Sequence, residues 1–227
     1  MSGVRHIIMA VSAVLLCISS SGTGRTSSGL WPMSGSGAPE LEILDSFVAS
    51  VNASRVSFGY EYTIDDGRTE IRGSGFVEMQ GDSYRADGNG LEVFCNGKYR
   101  WTVDRESREV VIESYDPEHP DYAVNPAALL KYFGQAFEVR DFSRPDQSSV
   151  EYLLEPVSKD MDMTDFIIRI SADGKSLVSA SFSTGPGTSA EFSVSSFSFS
   201  PKREDADSFF SFDVSDLDDS YIVTDLR

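Results

Sequence analysis

Val56, Phe58, Tyr60, Tyr62 and Ile64 alternate with Ser57, Gly59, Glu61 and Thr63. A period of two sends the large apolar side chains to one face of a β-strand and the small or polar ones to the other. The same beat recurs through most of the chain that follows, which predicts one long antiparallel sheet. A sheet with one apolar face must bury it, so what lies on that face is the functional question. The 15 Phe and 9 Tyr residues suit strands and are numerous enough for a substantial core.

The first residues read as an export signal. Arg5 and His6 form a short basic end, residues 7–18 are apolar apart from Ser12, and small residues follow at 19–22. This places cleavage near Ser21 and gives a signal peptide over residues 1–21. The apolar run falls short of the roughly 20 residues that a spanning helix needs. Cys17 follows Leu16 rather than a small residue, which argues against lipid attachment. Residues 22–38 read as a flexible Ser/Gly/Thr-rich leader, and residues 39–227 as a single domain.

Loss of residues 1–21 removes one basic residue, Arg5, and no acid, so the net charge moves from −17 to −18. Such a surface repels nucleic-acid phosphates and anionic headgroups, so no nucleic-acid partner is expected. Only Cys95 remains after processing, so no internal disulfide is available; a lone Cys in a strand is most often a small buried hydrophobe.

Pro39, with Glu40 and Glu42 behind it, marks a helix start. Leu41, Leu44, Phe47, Val48 and Val51 continue at helical spacing, which predicts a helix ending near Ala53. Strands are predicted over residues 55–64, 68–80, 84–86, 91–95, 99–103 and 109–114. Gly73 and Gly75 in the second mark a bend or a close approach. Asn96-Gly97 is a strong hairpin signal. Asn125-Pro126 then opens a short helix carrying Leu129, Leu130 and Phe133, with Gly134 as its stop. Strands resume over 150–154, 165–170, 177–183 and 190–200, and 209–212 and 221–223 close the chain. Within 190–200 the alternation slips: Phe192 and Val194 keep one phase, Phe197 and Phe199 the other. An extra residue near Ser195-Ser196 predicts a bulge or sharp bend.

Catalytic constellations are thin. His119 is the only histidine beyond the leader, set between Glu118 and Pro120 in a loop. No serine sits in a Gly-x-Ser-x-Gly elbow, and Cys95 has no histidine framework. Gly174-Lys175-Ser176 lacks the upstream glycine of a phosphate loop, since Arg169 stands there. The acids Asp160, Asp162 and Asp165 lack the spacing and glycine of a calcium loop and read as a solvated connection. Asn52-Ala53-Ser54 fits a glycosylation pattern that three residues match often by chance. No enzyme activity, cofactor or metal is expected.

The order of these parts resembles a known family. An export signal, one amphipathic helix, strands of the type 56–64, Gly73-x-Gly75-x-Val77 and a Gly81-Asp82 turn are similar to the periplasmic carrier of outer-membrane lipoproteins, LolA. Asn96-Gly97-Lys98 with Trp101 resembles its Asp/Asn-Gly-Lys-x-x-Trp hairpin. Residues 125–130 resemble its lid helix, and 209–213 and 223–227 the end of its divergent members. The resemblance covers roughly residues 40–227. It implies an incomplete, half-open antiparallel β-barrel whose concave face is covered by a few short helices and whose interior shelters acyl chains. It also implies a monomer that takes acylated lipoproteins from an inner-membrane release complex to an outer-membrane acceptor. Gln80-Gly81-Asp82 stands where well-studied members carry Lys-Arg-Pro, so the lid-holding role of that basic residue does not carry over.

Physical chemistry makes the same demand. Each hidden CH₂ is worth ~0.8 kcal/mol, so a 16-carbon chain must shed about 10–13 kcal/mol of exposure, which requires an enclosed apolar cavity. The lining residues expected from the one-face sets are Phe58, Tyr60 and Tyr62; Val77 and Met79; Leu91 and Val93; Trp101 and Val103. Leu129, Leu130 and Phe133 would close the top. The other reading is a non-catalytic envelope sensor or interaction module with a packed β core.

Overall fold

The computed structural model describes residues 38–116, 136–158, 163–184 and 187–227. The export signal, the leader up to residue 37, His119, the predicted helix with Leu129, Leu130 and Phe133, and the acids Asp160 and Asp162 lie outside them.

Among the described residues twelve strands form one sheet, β1 Arg55–Asp65, β2 Glu70–Gln80, β3 Ser83–Gly88, β4 Leu91–Asn96, β5 Tyr99–Asp104, β6 Glu109–Ser114, β7 Phe137–Ser143, β8 Ser149–Pro156, β9 Thr164–Ser171, β10 Leu177–Thr184, β11 Thr188–Ser200 and β12 Ile222–Asp225. Their spatial order is β12-β6-β5-β4-β3-β2-β1-β11-β10-β9-β8-β7. Every pairing is antiparallel except β12 on β6, which is parallel. The two ends of the sheet do not meet, so the barrel is open. The long closure is β1 with β11, which brings the start and the last third of the chain to the centre.

Turn chemistry fixes the hairpins. Gly97 takes φ +83°, and the Asn96 side chain accepts from the Lys98 and Tyr99 amides at 3.0 Å each. Gly67 and Gly81 also take positive φ, a conformation that costs glycine no steric strain.

The predicted slip in β11 is a bulge. Gly59 faces Ser196 and Tyr60 faces Val194, which leaves Ser195 unpaired. The extra residue reverses the phase, so Phe192, Val194, Phe197 and Phe199 all reach the same face, opposite Tyr62, Tyr60, Phe58 and Val56.

That face is covered by α1, Pro39–Ala53, whose Leu44, Phe47 and Val51 are buried. The Phe47 ring lies 5.7 Å from Phe197 and 6.1 Å from Phe199. The helix start is pinned to the β7–β8 end: the Tyr152 hydroxyl donates to the Glu40 carbonyl at 2.5 Å, and Arg144 pairs with the Glu40 carboxylate at 2.7 Å. The main core follows from this contact and draws on β1–β4 and β7–β11.

The fold departs from the pattern-based expectation at both ends of the second half. Residues 209–212 are not a strand: α2, Ala206–Phe209, ends there and irregular chain follows. α2 also lies on the convex side rather than the concave one, with Phe209 under Arg85 and Arg203, at 4.4 and 3.9 Å from the ring centre. β7 is an additional strand that alternation does not announce, because a register shift between Val139 and Asp141 breaks its period.

Candidate apolar site on the concave face

The register assigns side chains to faces. Phe58 opposes Val77, Val56 opposes Met79, Met79 opposes Tyr84, and Val77 opposes Ala86, which in turn opposes Val93. On the other side Tyr62 meets Phe192, which meets Ala180, and Ala180 meets Ile168. The result is a continuous run of rings. Phe58 stacks on Phe197 at 5.9 Å, Tyr60 and Tyr62 each lie about 6 Å from Phe192, and Phe192 stacks on Phe182 at 6.0 Å. Phe182 meets Phe166 edge-on at 5.9 Å, and Phe166 lies 4.6 Å from Phe137.

Burial divides the expected lining set. Val77, Met79 and Phe58 are 0, 1 and 4% exposed and belong to the core cluster. Tyr62 is buried as well. Tyr60, Leu91 and Val93 are half-buried, and so are Ile64, Phe192, Val194, Phe197 and Phe199. The β11 residues lie outside the lining set expected from sequence, although the phase slip is the signal that places them here.

Trp101 and Val103 are not on this face. Trp101 pairs with Phe94 and Val103 with Glu92, whereas the concave-side Val93 and Cys95 pair with Thr102 and Arg100. Trp101, Val103, Val110 and Ile112 form a second buried cluster on the convex side, covered by Phe212, Leu217 and Tyr221 of the C-terminal segment. The apolar face therefore changes sides at β4, and the concave side of β5 and β6 carries Arg100, Asp104 and Glu113. Arg100 and Glu113 form an ion pair there at 2.7 Å.

Two glycines shape the open end of the concave face. A Cβ on Gly75 would stand 2.6 Å from the Tyr60 hydroxyl, and one on Gly73 would stand 2.6 Å from the Tyr62 hydroxyl. The two rings lie flat over bare backbone, which is the close approach the strand glycines announce. The Tyr62 hydroxyl accepts from the Asn89 side-chain amide. Burial among the rings pushes the Tyr60 phenol up to about 12, with the Tyr62 and Asp87 charges adding to it.

Cys95 is wholly buried in the core, its thiol 3.6 Å from the Asp82 carbonyl, and desolvation raises its pKa to about 11. Beside the β3–β4 turn an open depression of about 600 Å³ is lined by Gly75, Gly88 and Leu91 together with Asp87, Glu92 and Arg105. Arg105 is paired there with Glu92. Among the described residues no group of three His, Cys, Asp or Glu side chains is placed to hold a metal ion.

The described residues thus form an open, mainly antiparallel sheet with one helix across its aromatic face. The chain is similar in structure to an uncharacterized conserved protein of Thermus thermophilus, with TM-score 0.51 at 12% identity, covering 82% of this chain and 98% of that one. It is also similar to the LolA superfamily protein NE2245 of Nitrosomonas europaea (TM-score 0.42, 9% identity, 76% and 97% covered). LprF of Mycobacterium bovis aligns with TM-score 0.40 and 11% identity over 74% and 97%. No protein-family model and no curated protein matches the sequence.

Proposed function

We propose that this protein is an exported, non-catalytic carrier that shelters the acyl chains of lipoproteins against its concave aromatic face. The reading places it in the periplasm, delivering cargo from an inner-membrane release complex to an outer-membrane acceptor. Residues 39–227 would act as one lipid-binding domain and as a monomer. The observation that carries it is the half-exposed row Tyr60, Phe192, Val194, Phe197 and Phe199 beside α1. A row of rings and branched chains left open to solvent on one side suits a hydrocarbon ligand.

In this reading the acyl chain first meets that row and then takes the place of α1 over Phe58, Val77 and Met79. Tight packing at those three positions favours the second reading, an interaction module with a filled core.

Phe192→Glu separates the two. A charge on the half-open ring should abolish uptake of a dipalmitoylated peptide, read by native mass spectrometry, while the protein stays folded. Wild-type protein that takes up no acylated peptide would overturn the carrier reading.

A further inference from the structure

On the inward faces of β1 and β11 the half-exposed side chains are Tyr60, Ile64, Thr188, Phe192, Val194, Phe197 and Phe199. All are hydrocarbon except Tyr60, which lies within the run of rings, and Thr188, which stands at the outer end of β11 opposite Thr184. The Tyr62 hydroxyl, next along β1, is buried and already takes a hydrogen bond from Asn89. The Tyr60 hydroxyl reaches over Gly75, whose partner on β3 is Gly88, with the apolar Leu91 next in that row.

A lone O–H donor among rings is costly to bury without a partner and specific when it finds one. A simple alkyl chain offers no partner; the carbonyl of an acyl ester or amide does. Resting on the carrier reading, we infer that Tyr60 is the specificity-determining residue of the concave face, its hydroxyl donating to the carbonyl at the head of an acyl chain whose tail runs over Phe192 and Phe197. The raised phenol pKa keeps the proton on the oxygen through the ordinary pH range, so the group acts as a donor there.

The test compares a dipalmitoylglyceryl-cysteine peptide with its dihexadecyl ether analogue, which keeps both tails and lacks both ester carbonyls. Each competes with a fluorescent fatty acid for wild-type protein and for Tyr60→Phe, a change that keeps the ring over Gly75. Wild type should prefer the ester by about five- to tenfold, the range of one hydrogen bond. Tyr60→Phe should bind the ester as weakly as the ether and leave ether binding unchanged. The ratio within each variant is independent of small changes in stability. Equal binding of ester and ether by wild type, or an ester preference that survives in Tyr60→Phe, would overturn the assignment and leave the carrier reading standing. Failure of wild type to bind either compound would overturn both.

Discussion

Tyr60 on β1 and Gly75 on β2 are direct cross-strand partners, and the tyrosine hydroxyl occupies the space a Cβ on the glycine would need, 2.6 Å away. The Asp87 carbonyl is equally close to that position. A methyl group there must displace a rigid ring or a backbone oxygen. Gly75→Ala should therefore destabilise the protein by about 1–3 kcal/mol, the usual cost of overpacking. The check is the midpoint of urea unfolding, and an unchanged midpoint would contradict the ring placement.

Trp101 should report nothing about acyl binding, because it lies in the convex cluster with Val103, Val110 and Ile112. With Trp31 replaced by Phe, brominated acyl chains should leave its emission unquenched. Trp101→Ala should cost about 3 kcal/mol of stability through the cavity it leaves, with uptake unaffected in the folded protein. Strong quenching would place the ligand on the other side of the sheet.

Alkali should loosen the fold in a defined window. Burial raises the Cys95 thiol from 9.0 to about 11 and the Tyr60 phenol from 10.0 to about 12. Both groups lose protons more readily when unfolded, so their contribution is fully present below about pH 9 and declines as pH rises toward 12. The unfolding free energy measured by urea should fall across that range, and Cys95→Ala should blunt its first part. At pH 8 the native thiol should resist iodoacetamide and react once the protein is denatured, since burial leaves only about a hundredth of the ordinary thiolate fraction. Rapid labelling of folded protein would refute the burial of Cys95.

Glu78 is 5% exposed on the convex face and pairs with both Arg55 and Arg85. Removing it leaves Arg55, whose Nε already lacks a partner, with an uncompensated charge. Glu78→Ala should cost about 2–4 kcal/mol, a little below a fully buried pair because both arginines keep some solvent contact. A difference below about 1 kcal/mol in denaturant unfolding, the level of an exposed pair, would show that water serves the arginines equally well.

Much of the sheet is legible in the sequence because alternation and turn residues are local signals. The helix at 39–53, every strand but β7, and the bulge at Ser195 follow from spacing alone. β7 escapes because its own bulge destroys the alternation that would announce it. The faces of Trp101 and Val103 are also decidable. In an antiparallel hairpin with a two-residue loop, odd positions pair with even ones. Leu91 and Val93 therefore cannot share a face with Trp101 and Val103 once Gly97-Lys98 is taken as the two-residue loop, which sets Cys95 opposite Arg100.

Sequence alone determined which residues alternate, where the chain turns and where a glycine lets a tyrosine lie down, because these depend on neighbours within a few positions. It could not decide which apolar face turns inward, since the apolar residues lie at Leu91, Val93 and Cys95 on one side of the sheet in β4 and at Trp101 and Val103 on the other in β5. Only the tertiary structure settled that. The pairing of β1 with β11 and the docking of α1 bury one face, and the C-terminal segment buries the other at β4–β6. Burial is decided by contacts between segments far apart in the chain, such as Phe58 with Phe197 and Phe94 with Phe212, and no local pattern encodes them.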